Sequence, residues 1–245
     1  MRSLTAIDVV HIWGSGAGLR PPDRALAILA PAFPRTPLDE LASLNLGRRD
    51  SYLLSIRERL FGTGIDCFAE CAGCNERLEF KVNARDIQRD QPPGDAAREF
   101  ELSAEGYDLR VRLINTADLL AISTCRDRQA AREMLVQRCV LEATRDGEEI
   151  ASTELSDQAV TAVASAIADH DPMAETLFDL TCPACGHRWQ VLFDPGEFLW
   201  AEISALAKRL LTEVHTLARA YGWRESDILS LSARRRQFYL DMVGA

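Results

Sequence analysis

The sequence lacks any apolar run that could cross a membrane, which requires about 20 consecutive apolar residues. Near the N-terminus a short apolar run surrounds Val9 and Val10, but Asp8 and His11 interrupt it. This run is too short and too polar for the apolar region of a secretion signal. We therefore expect a protein that resides in the cytoplasm and has no membrane partner.

Positively charged residues are fewer than negatively charged ones: 28 lysines and arginines against 37 aspartates and glutamates give a net charge of −9. An acidic chain repels a phosphate backbone, so this balance disfavours nucleic acid as a partner. Low-complexity segments and internal repeats of about 20 to 50 residues are absent. The hydrophobic content of 47% is ordinary for a globular protein, and 245 residues suffice for one elaborate domain or two small ones.

Residue sets typical of enzymes are missing as well. No serine–histidine–aspartate set and no cysteine–histidine pair occurs at a recognisable spacing, and the carboxylates are scattered. The glycines between Gly14 and Gly18 resemble a dinucleotide-binding loop, yet residues 19–22 separate them from the next helix and no βαβ pattern follows. We expect this segment to be a loop, the chain to have no small-molecule substrate, and the protein not to be an enzyme.

Cysteine, by contrast, is present in a distinctive pattern. The chain has 7 cysteines, an odd number that a complete set of disulfides would not use up. Two pairs have the spacing Cys-x-x-Cys, namely Cys71 with Cys74 and Cys182 with Cys185. A turn of this kind presents two sulfurs along one edge of the tetrahedron that zinc prefers. We predict one zinc ion bound by these four residues, and a structural one, since four thiolates leave no open coordination position.

The sequence around each pair predicts a turn that leads into a strand, as in a zinc ribbon. Asn75 and Gly186 follow the second cysteine of their pairs, and both residue types tolerate the left-handed backbone that such a turn needs. The pairs lie 107 residues apart, and closing so long a loop costs on the order of 4 kcal/mol. A structural zinc contributes about 10–16 kcal/mol, which exceeds that cost.

Other uses of the cysteines stay open. The second pair could form a thioredoxin-like redox motif, although that motif begins a helix and both pairs here precede strands. Cys67 is a spare ligand or a small buried group, and His187 is a substitute ligand or an exposed strand residue. Cys125 and Cys139 fall in helical patterns and are expected in the core.

Hydrophobic periodicity predicts an α+β fold that is mainly helical. Leu78 and Phe80 alternate with charged residues as a half-buried strand does, and a hairpin with its turn at Glu105-Gly106 follows. The polar segment 85–98 predicts a surface loop. We therefore expect a small antiparallel, zinc-ribbon-like sheet with a helical insert and helical N- and C-terminal regions.

Capping residues help to locate the predicted helices. Thr36, Thr116, Ser156 and Ser232 are expected N-caps, because their hydroxyls can accept a backbone N–H of the first turn. Helical spacing covers residues 24–33, 50–61, 117–123, 130–143, 157–170, 196–223, 225–231 and 233–243. The predicted segments are 1–65 (N-terminal helical region), 66–115 (first zinc knuckle and hairpin), 116–180 (helical insert), 181–195 (second knuckle and strand) and 196–245 (C-terminal helical region).

Three stretches of the sequence, 23–80 with its first Cys-x-x-Cys pair, 167–203 with the second, and 209–243, resemble a known family. They are similar to the baseplate hub-assembly chaperones of T-even-type contractile phages, in the version found beside bacterial contractile injection systems. The most specific stretch is the last, where Glu213, His215 and Tyr221-Gly222-Trp223 fall in the family's order. The first knuckle reads Cys-Ala-Gly-Cys-Asn, which departs from the family's usual Cys-Pro-x-Cys-Gly.

The resemblance implies a non-enzymatic factor that helps to build a baseplate or its central hub. It implies baseplate or hub proteins of a contractile, tail-like particle as partners, and a location in the bacterial cytoplasm or in the assembled particle. The family offers no catalytic residue to carry over to this chain.

The amphipathic tail is the candidate surface for such a partner, because an assembly chaperone needs exposed apolar helices to cover sticky surfaces. The alternative is that these side chains pack in the protein's own core and that the arginines form a solvated face. The candidate residues are Trp200, Leu211, Val214, His215, Tyr221, Trp223, Arg234 and Arg235.

Two other functions compete with this interpretation. A zinc-ribbon adaptor for nucleic acid would use the two knuckles and the basic run from Arg234 to Arg236. The negative net charge disfavours this function. A redox protein would use the thiols of the second cysteine pair, and tightly bound zinc would exclude it.

Overall fold

The computed structural model describes residues 1–88 and 98–244 of a mixed α/β protein with small antiparallel sheets. The chain folds into two compact units. Unit 1 combines Met1–Thr36 with the residues from Pro195 onward, and unit 2 is Pro37–Asp194. The division of the chain into the five segments predicted from the sequence remains a prediction.

The helices are, in chain order, α1 (Ala6–Gly16), α2 (Pro21–Ala32), α3 (Leu38–Ala42), α4 (Leu46–Phe61), α5 (Ala84–Gln88), α6 (Thr116–Ile122), α7 (Arg128–Cys139), α8 (Asp157–His170), α9 (Pro195–Tyr221), α10 (Glu225–Ser230) and α11 (Ala233–Gly244). The strands are β1 (Gly64–Glu70), β2 (Arg77–Asn83), β3 (Glu99–Ala104), β4 (Tyr107–Arg112), β5 (Val140–Arg145), β6 (Glu148–Glu149), β7 (Thr176–Thr181) and β8 (Arg188–Phe193). Short 3-10 turns occupy Ser152–Glu154 and Pro172–Ala174.

Unit 1 is a helical body in which α9 contacts α1, α2, α10 and α11. The buried side chains of α9 recur three or four positions apart, so they form one stripe along the helix. This stripe packs with buried residues of α1 and α2, such as Ile12 and Leu29. The buried α9 side chains include Leu199, Ile203, Ala207, Leu210, Val214 and Leu217.

Helix α1 begins at a capping box and includes glycines for which the sequence predicts a loop. The Asp8 N–H donates to the Thr5 hydroxyl at 3.2 Å, and the Thr5 N–H donates to the Asp8 carboxylate at 2.7 Å. The loop prediction is wrong for Gly14 and Gly16, which lie inside the helix. Gly16 faces Trp200 so closely that an added Cβ would lie 2.5 Å from the indole ring. Glycine therefore permits the approach of α1 to α9.

The described residues of unit 2 form three antiparallel sheets, with strand orders β1-β2, β3-β4-β5-β6 and β7-β8. The predicted hairpin of β3 and β4 is confirmed, because Glu105 and Gly106 both adopt positive φ, at 56° and 79°, as a tight two-residue turn requires. Asp146 and Gly147 repeat that turn at φ of 54° and 83° between β5 and β6. The predicted strand that contains Leu78 is also confirmed as β2.

The prediction of one helix over 130–143 is wrong for its last four residues, 140–143. Helix α7 ends at Cys139, and the chain continues directly as strand β5 beside β4. Val140 and Ala143 are buried against Tyr107, Leu109 and other residues of the four-stranded sheet, so tertiary packing decides the conformation of this stretch. The turn signal Asp146-Gly147 indicates a hairpin and could have located β5 from the sequence.

Helix caps agree with the sequence in part. Ser156 caps α8, since its hydroxyl accepts the Ala159 N–H at 3.2 Å, and the Arg235 N–H lies 3.4 Å from the Ser232 hydroxyl. The cap of α6 is Asn115 in place of the predicted Thr116, and the N-cap position of α3 is Pro37 in place of Thr36.

Of the loop predicted over 85–98, residues up to Gln88 form α5, and residues 89–97 lie outside the described part of the chain.

Two buried carboxylates connect distant segments of unit 2. Asp118 accepts a bidentate ion pair from Arg112 at 2.7 and 2.8 Å and a third bond from Arg138 at 2.6 Å. Burial works against this charge, but the arginines and the Asn115 N–H outweigh it and lower the pKa of Asp118. Asp171 accepts the Gly47 N–H at 3.1 Å near the start of α4, and burial raises its pKa.

None of the helices in the described residues combines the length and the apolar character that a membrane span requires.

Candidate metal centre

Two hairpins of the same design carry the two Cys-x-x-Cys pairs. In the first, β1 and β2 pair up to Glu70 and Arg77, and the turn between them begins at Cys71. The Cys71 N–H donates to the Glu76 carbonyl at 2.9 Å, and the Asn75 N–H donates to the Cys71 carbonyl at 2.8 Å. These bonds fix the turn that presents the first two sulfurs.

The second hairpin repeats the same bonds at the end of β7 and β8. The Cys182 N–H donates to the His187 carbonyl at 2.9 Å, and the Gly186 N–H donates to the Cys182 carbonyl at 2.9 Å. Gly186 has φ of 73°, and Asn75 occupies the matching place in the first turn with φ of 60°. The sequence predicts this left-handed conformation for both residues, and both adopt it.

The turns bring their four sulfurs together into what we call the four-sulfur cluster: the Sγ atoms of Cys71, Cys74, Cys182 and Cys185 all lie within 4.8 Å of one another. Two distances across the hairpins, Cys71 to Cys185 and Cys74 to Cys182, are 3.6 Å each. A tetrahedral ion with bonds of about 2.3 Å to sulfur separates its ligands by roughly 3.8 Å. The cluster could hold a metal ion.

Within the cluster the sulfurs differ in environment. Cys71 and Cys182 are buried, whereas Cys74 and Cys185 are exposed at the outer side of the turns. The Gly73 N–H donates to the Cys71 sulfur at 3.4 Å, as a backbone amide does toward a thiolate. Such donors support negative charge on the cluster.

The thiol pKa values diverge because the sulfurs compete for charge. Burial opposes ionisation of Cys182, but the backbone N–H groups of Cys185 and Ala184 and the neighbouring thiols lower its pKa to about 7. At Cys74 the Glu76 backbone favours the thiolate, yet the sulfurs of Cys185 and Cys182 raise the pKa to about 12. Four thiolates so close together need a cation to compensate their charge.

Aromatic side chains join the two hairpins beside the cluster. The rings of Phe80 and Phe178 meet edge to face with centroids 5.9 Å apart, and Phe178 lies 5.4 Å from Phe193. Gly73 approaches His187 so closely that an added Cβ would lie 3.3 Å from the imidazole. His187 stacks near Trp189 at 5.8 Å and is exposed. The hairpins therefore contact each other through side chains as well as through the cysteine turns.

The remaining cysteines lie outside the four-sulfur cluster. Cys67 is half-buried in β1, and the Cys125 sulfur lies 4.0 Å from the thioether of Met134. Cys139 is buried at the end of α7, and burial raises the pKa of its thiol to about 11.

The tail residues proposed as a partner surface differ in their exposure. Val214 is buried in unit 1, and Trp200 packs against Gly16 with the Arg24 guanidinium 4.9 Å above its ring. The exposed group consists of His215, Tyr221, Arg234 and Arg235, while Leu211 and Trp223 are half-buried.

Helix α11 adds exposed apolar residues that the sequence did not single out. Phe238 and Met242 are 62% and 57% exposed and follow Arg234 at intervals of four, so the three lie along one face of the helix. The i, i+4 spacing could have found them. Arg236 differs from its neighbours, since it is buried and pairs with Glu213 at 2.8 Å.

Comparison with protein families gives a match over residues 29–200 to the family described as T4 bacteriophage base plate protein. The match covers more than half of the chain, and the chain belongs to this family. It includes both hairpins of the four-sulfur cluster, whereas α10 and α11 lie beyond it. Comparison with curated proteins and with solved structures finds no significant match.

Proposed function

We propose that this protein is a non-enzymatic assembly chaperone or minor component for the baseplate or hub of a contractile, tail-like particle, with a structural zinc ion in the four-sulfur cluster. Membership of the T4 bacteriophage base plate protein family indicates a baseplate-associated role and carries the proposal. The partners would be other baseplate or hub proteins. We place the protein in the bacterial cytoplasm before assembly and in the particle if it is retained.

The donor set supports zinc as the ion and a structural role for it. Zinc binds four thiolates in a tetrahedron, and two cysteine turns related like these supply such a set. With all four positions filled by sulfur, no position remains for a substrate or a reactive water. When bound, the ion would hold together strands that are more than one hundred positions apart in the chain.

A surface of unit 1 supports protein binding, and we call it the tail face: Tyr221, Arg234, Arg235, Phe238 and Met242. Its apolar members are exposed, and neither arginine makes an ion pair with a described residue. Exposed aromatic and arginine side chains are the types that contribute most to protein interfaces. The positive charge on this face favours an acidic region of the partner.

Deletion of the gene in the host tests the assembly role. We expect particles that lack baseplates or that fail to assemble when examined by electron microscopy. Complementation with the wild-type gene should restore them, whereas Arg234→Glu with Phe238→Ser should restore them poorly. Intact and active particles from the deletion strain would contradict the role. Mass spectrometry of purified wild-type particles separates a retained component from a chaperone that leaves.

Metal analysis of the purified protein tests the zinc site independently of the assembly role. We expect one zinc per chain in the wild type, none in Cys182→Ser, and one in Cys125→Ser, whose sulfur lies outside the cluster. A fully reduced wild-type protein that contains no zinc, or a variant at Cys182 that retains it, would contradict the assignment.

The alternative function, a zinc-ribbon adaptor for nucleic acid, has the exposed Arg234 and Arg235 in its favour. The net charge of −9 opposes it. Binding of labelled DNA or RNA that weakens with added salt and with Arg234→Glu would favour this alternative, and no binding at low salt would remove it.

A further inference from the structure

An apolar groove lies between α7 and α8 in unit 2. It has a volume of about 280 Å³, and its lining is apolar apart from two arginines. Cys139 is the buried residue of α7, and side chains in the middle of this helix, such as Leu135 and Val136, are half-buried. The lining residues are Ile114, Arg128, Ala131, Arg132, Leu135, Val136, Cys139, Val160, Val163, Ala164 and Ile167. The two helices thus leave apolar surface uncovered.

The charged residues that line the groove are both positive. Arg128 and Arg132 are one turn apart on α7, and Arg132 reaches across to the Thr161 hydroxyl of α8 at 3.3 Å. Neither arginine forms an ion pair with a carboxylate in the described residues. Glu133 and Asp157 line an adjoining cavity that shares Arg132 with the groove, but neither carboxylate lines the groove itself. An occupant with negative charge beside an apolar surface would complement this pattern.

The shape of the groove decides between kinds of occupant. A small-molecule site buries most of its ligand, about 70–90% of the ligand surface. The groove's volume of about 280 Å³ lies below the roughly 300–1,000 Å³ of small-molecule sites, and half-exposed lining residues such as Leu135, Val160 and Ile167 leave it open to solvent. An amphipathic helix needs only one covered face, and it anchors in a groove through apolar side chains three and four positions apart.

We propose that the groove between α7 and α8 binds an acidic amphipathic helix of a partner protein. Its apolar side chains would lie on Leu135, Val136 and Ile167, and its carboxylates would pair with Arg128 and Arg132. The proposal concerns a surface of unit 2 and stands whether or not the role in particle assembly holds.

Fluorescence anisotropy with the full-length protein tests this proposal. The probe is a labelled peptide of about five helical turns with leucine on one face and glutamate on the other. A second peptide carries lysine at each glutamate position, and a third carries serine at each leucine position. We expect the acidic peptide to bind at least about tenfold more tightly than either of the others. Equal binding of the acidic and lysine peptides, or no binding of the acidic peptide, would overturn the proposal.

Variants locate the binding on the groove. Arg128→Glu with Arg132→Glu should weaken the acidic peptide at least about tenfold, whereas the same charge change at the exposed Arg35 and Arg59, which belong to neither the groove nor the tail face, should leave it unchanged. Ala164→Trp should fill the groove and abolish binding, and Ser165→Trp, at the next exposed position of α8, should not.

Two further measurements keep the result unambiguous. Circular dichroism should show each variant folded as the wild type is. Dodecanoate serves as a competing small apolar acid, and we expect no displacement of the peptide by it. Tight binding of dodecanoate without binding of the acidic peptide would assign the groove to a lipid-like acid and overturn the proposal. Unchanged peptide binding in both groove variants would also overturn it.

Discussion

At the scale of single residues, the Asp118 side chain connects three elements of unit 2. Its carboxylate is fully buried and bonds to one arginine on β4 and to another on α7, while its own backbone completes the capping box of α6. One charge thus fixes the relative position of a strand and two helices. The arginines that pair with Asp118 are separated from it along the chain by intervals that follow no helix or strand period. The sequence alone therefore did not identify Asp118 as a residue that connects elements.

Replacement of Asp118 by asparagine keeps the shape of the side chain and removes its charge. We expect a loss of about 3 kcal/mol in the free energy of unfolding, because two arginines lose a buried partner. Urea unfolding followed by circular dichroism measures it. The matched control is Asp108→Asn on the exposed side of β4, where we expect less than about 0.5 kcal/mol. Equal losses in the two variants would contradict this account.

Asp8 predicts a pH dependence of stability in unit 1. The Arg2 guanidinium, together with the Thr5 backbone and hydroxyl, lowers the pKa of Asp8 to about 2. In the unfolded chain the pKa is about 3.9. The folded state therefore holds fewer protons between these values, so its stabilisation is complete above pH 4 and is lost as the pH falls toward 2.

We expect Asp8→Asn to lose about 1 kcal/mol of stability at pH 7, a figure reduced for the partial exposure of the pair. The difference from the wild type should shrink as the pH falls from about 4 to about 2. Urea unfolding at a series of pH values measures it. Asp227→Asn, at an exposed position of α10, should show no such convergence. A pH-independent difference for Asp8→Asn would be evidence against the ion pair.

At the scale of elements, the crossing of α1 and α9 depends on one glycine. Gly16→Ala places a methyl group 2.5 Å from the Trp200 ring, so either the ring or the helix must move. We expect a loss of about 1–3 kcal/mol in the free energy of unfolding. Gly14→Ala, two positions earlier in the same helix, meets nothing within 4 Å and should gain up to about 1 kcal/mol. A gain in both variants would show that the contact does not constrain the helices.

The two cysteine hairpins should respond to metal removal together, since the four-sulfur cluster takes two ligands from each. A strong chelator should speed amide hydrogen exchange in β1, β2, β7 and β8, and should change exchange in α1 and α9 much less. Hydrogen exchange followed by mass spectrometry measures this. Added zinc should restore the original rates. Loss of protection in one hairpin only would contradict a shared ion.

The sequence predicted best the elements whose conformation is determined by residues adjacent in the chain. The cysteine turns, the strand through Phe80 and the Glu105-Gly106 hairpin depend on neighbouring residues, and the structure has each of them. Strand β5 was missed because its residues continue a helical spacing, which outweighed the turn signal at Asp146-Gly147, and contacts with β4 then decide the conformation. Caps shifted by one residue, as at Asn115, since adjacent polar side chains compete for the same role.

At the scale of the whole molecule, the chain leaves unit 1 after Thr36 and returns to it at Pro195. Hydrophobic periodicity predicted α2 and the helices from residue 196 onward, because each has an apolar face of its own, but it did not predict α1. Which helices share a core is a matter of contacts between remote segments, and these leave no pattern in one sequence. The four-sulfur cluster could be predicted because the Cys-x-x-Cys spacing repeats in the sequence. The groove between α7 and α8 could not be predicted, because it exists only when the two helices pack together.

The continuous segment 37–194 should fold without unit 1. We expect this fragment to bind one zinc ion per chain and to unfold in a cooperative transition, because the three sheets and all four cysteines lie within it. Metal analysis and thermal unfolding by circular dichroism measure this, with Cys182→Ser in the same fragment as the control. A soluble fragment without zinc or without a transition would contradict the independence of unit 2.

The long separation of the two cysteine turns has a consequence for biosynthesis. Cys71 leaves the ribosome 114 positions before Cys185, an interval of roughly 6 to 23 seconds at ordinary rates of translation. For most of that time the nascent chain offers only two of the four sulfurs of the cluster. A half-complete site of this kind is open to oxidation and to the matching turn of a neighbouring chain on the same messenger. With zinc bound as proposed, the order of synthesis would make the pace of translation and the supply of zinc part of how this protein reaches its folded state.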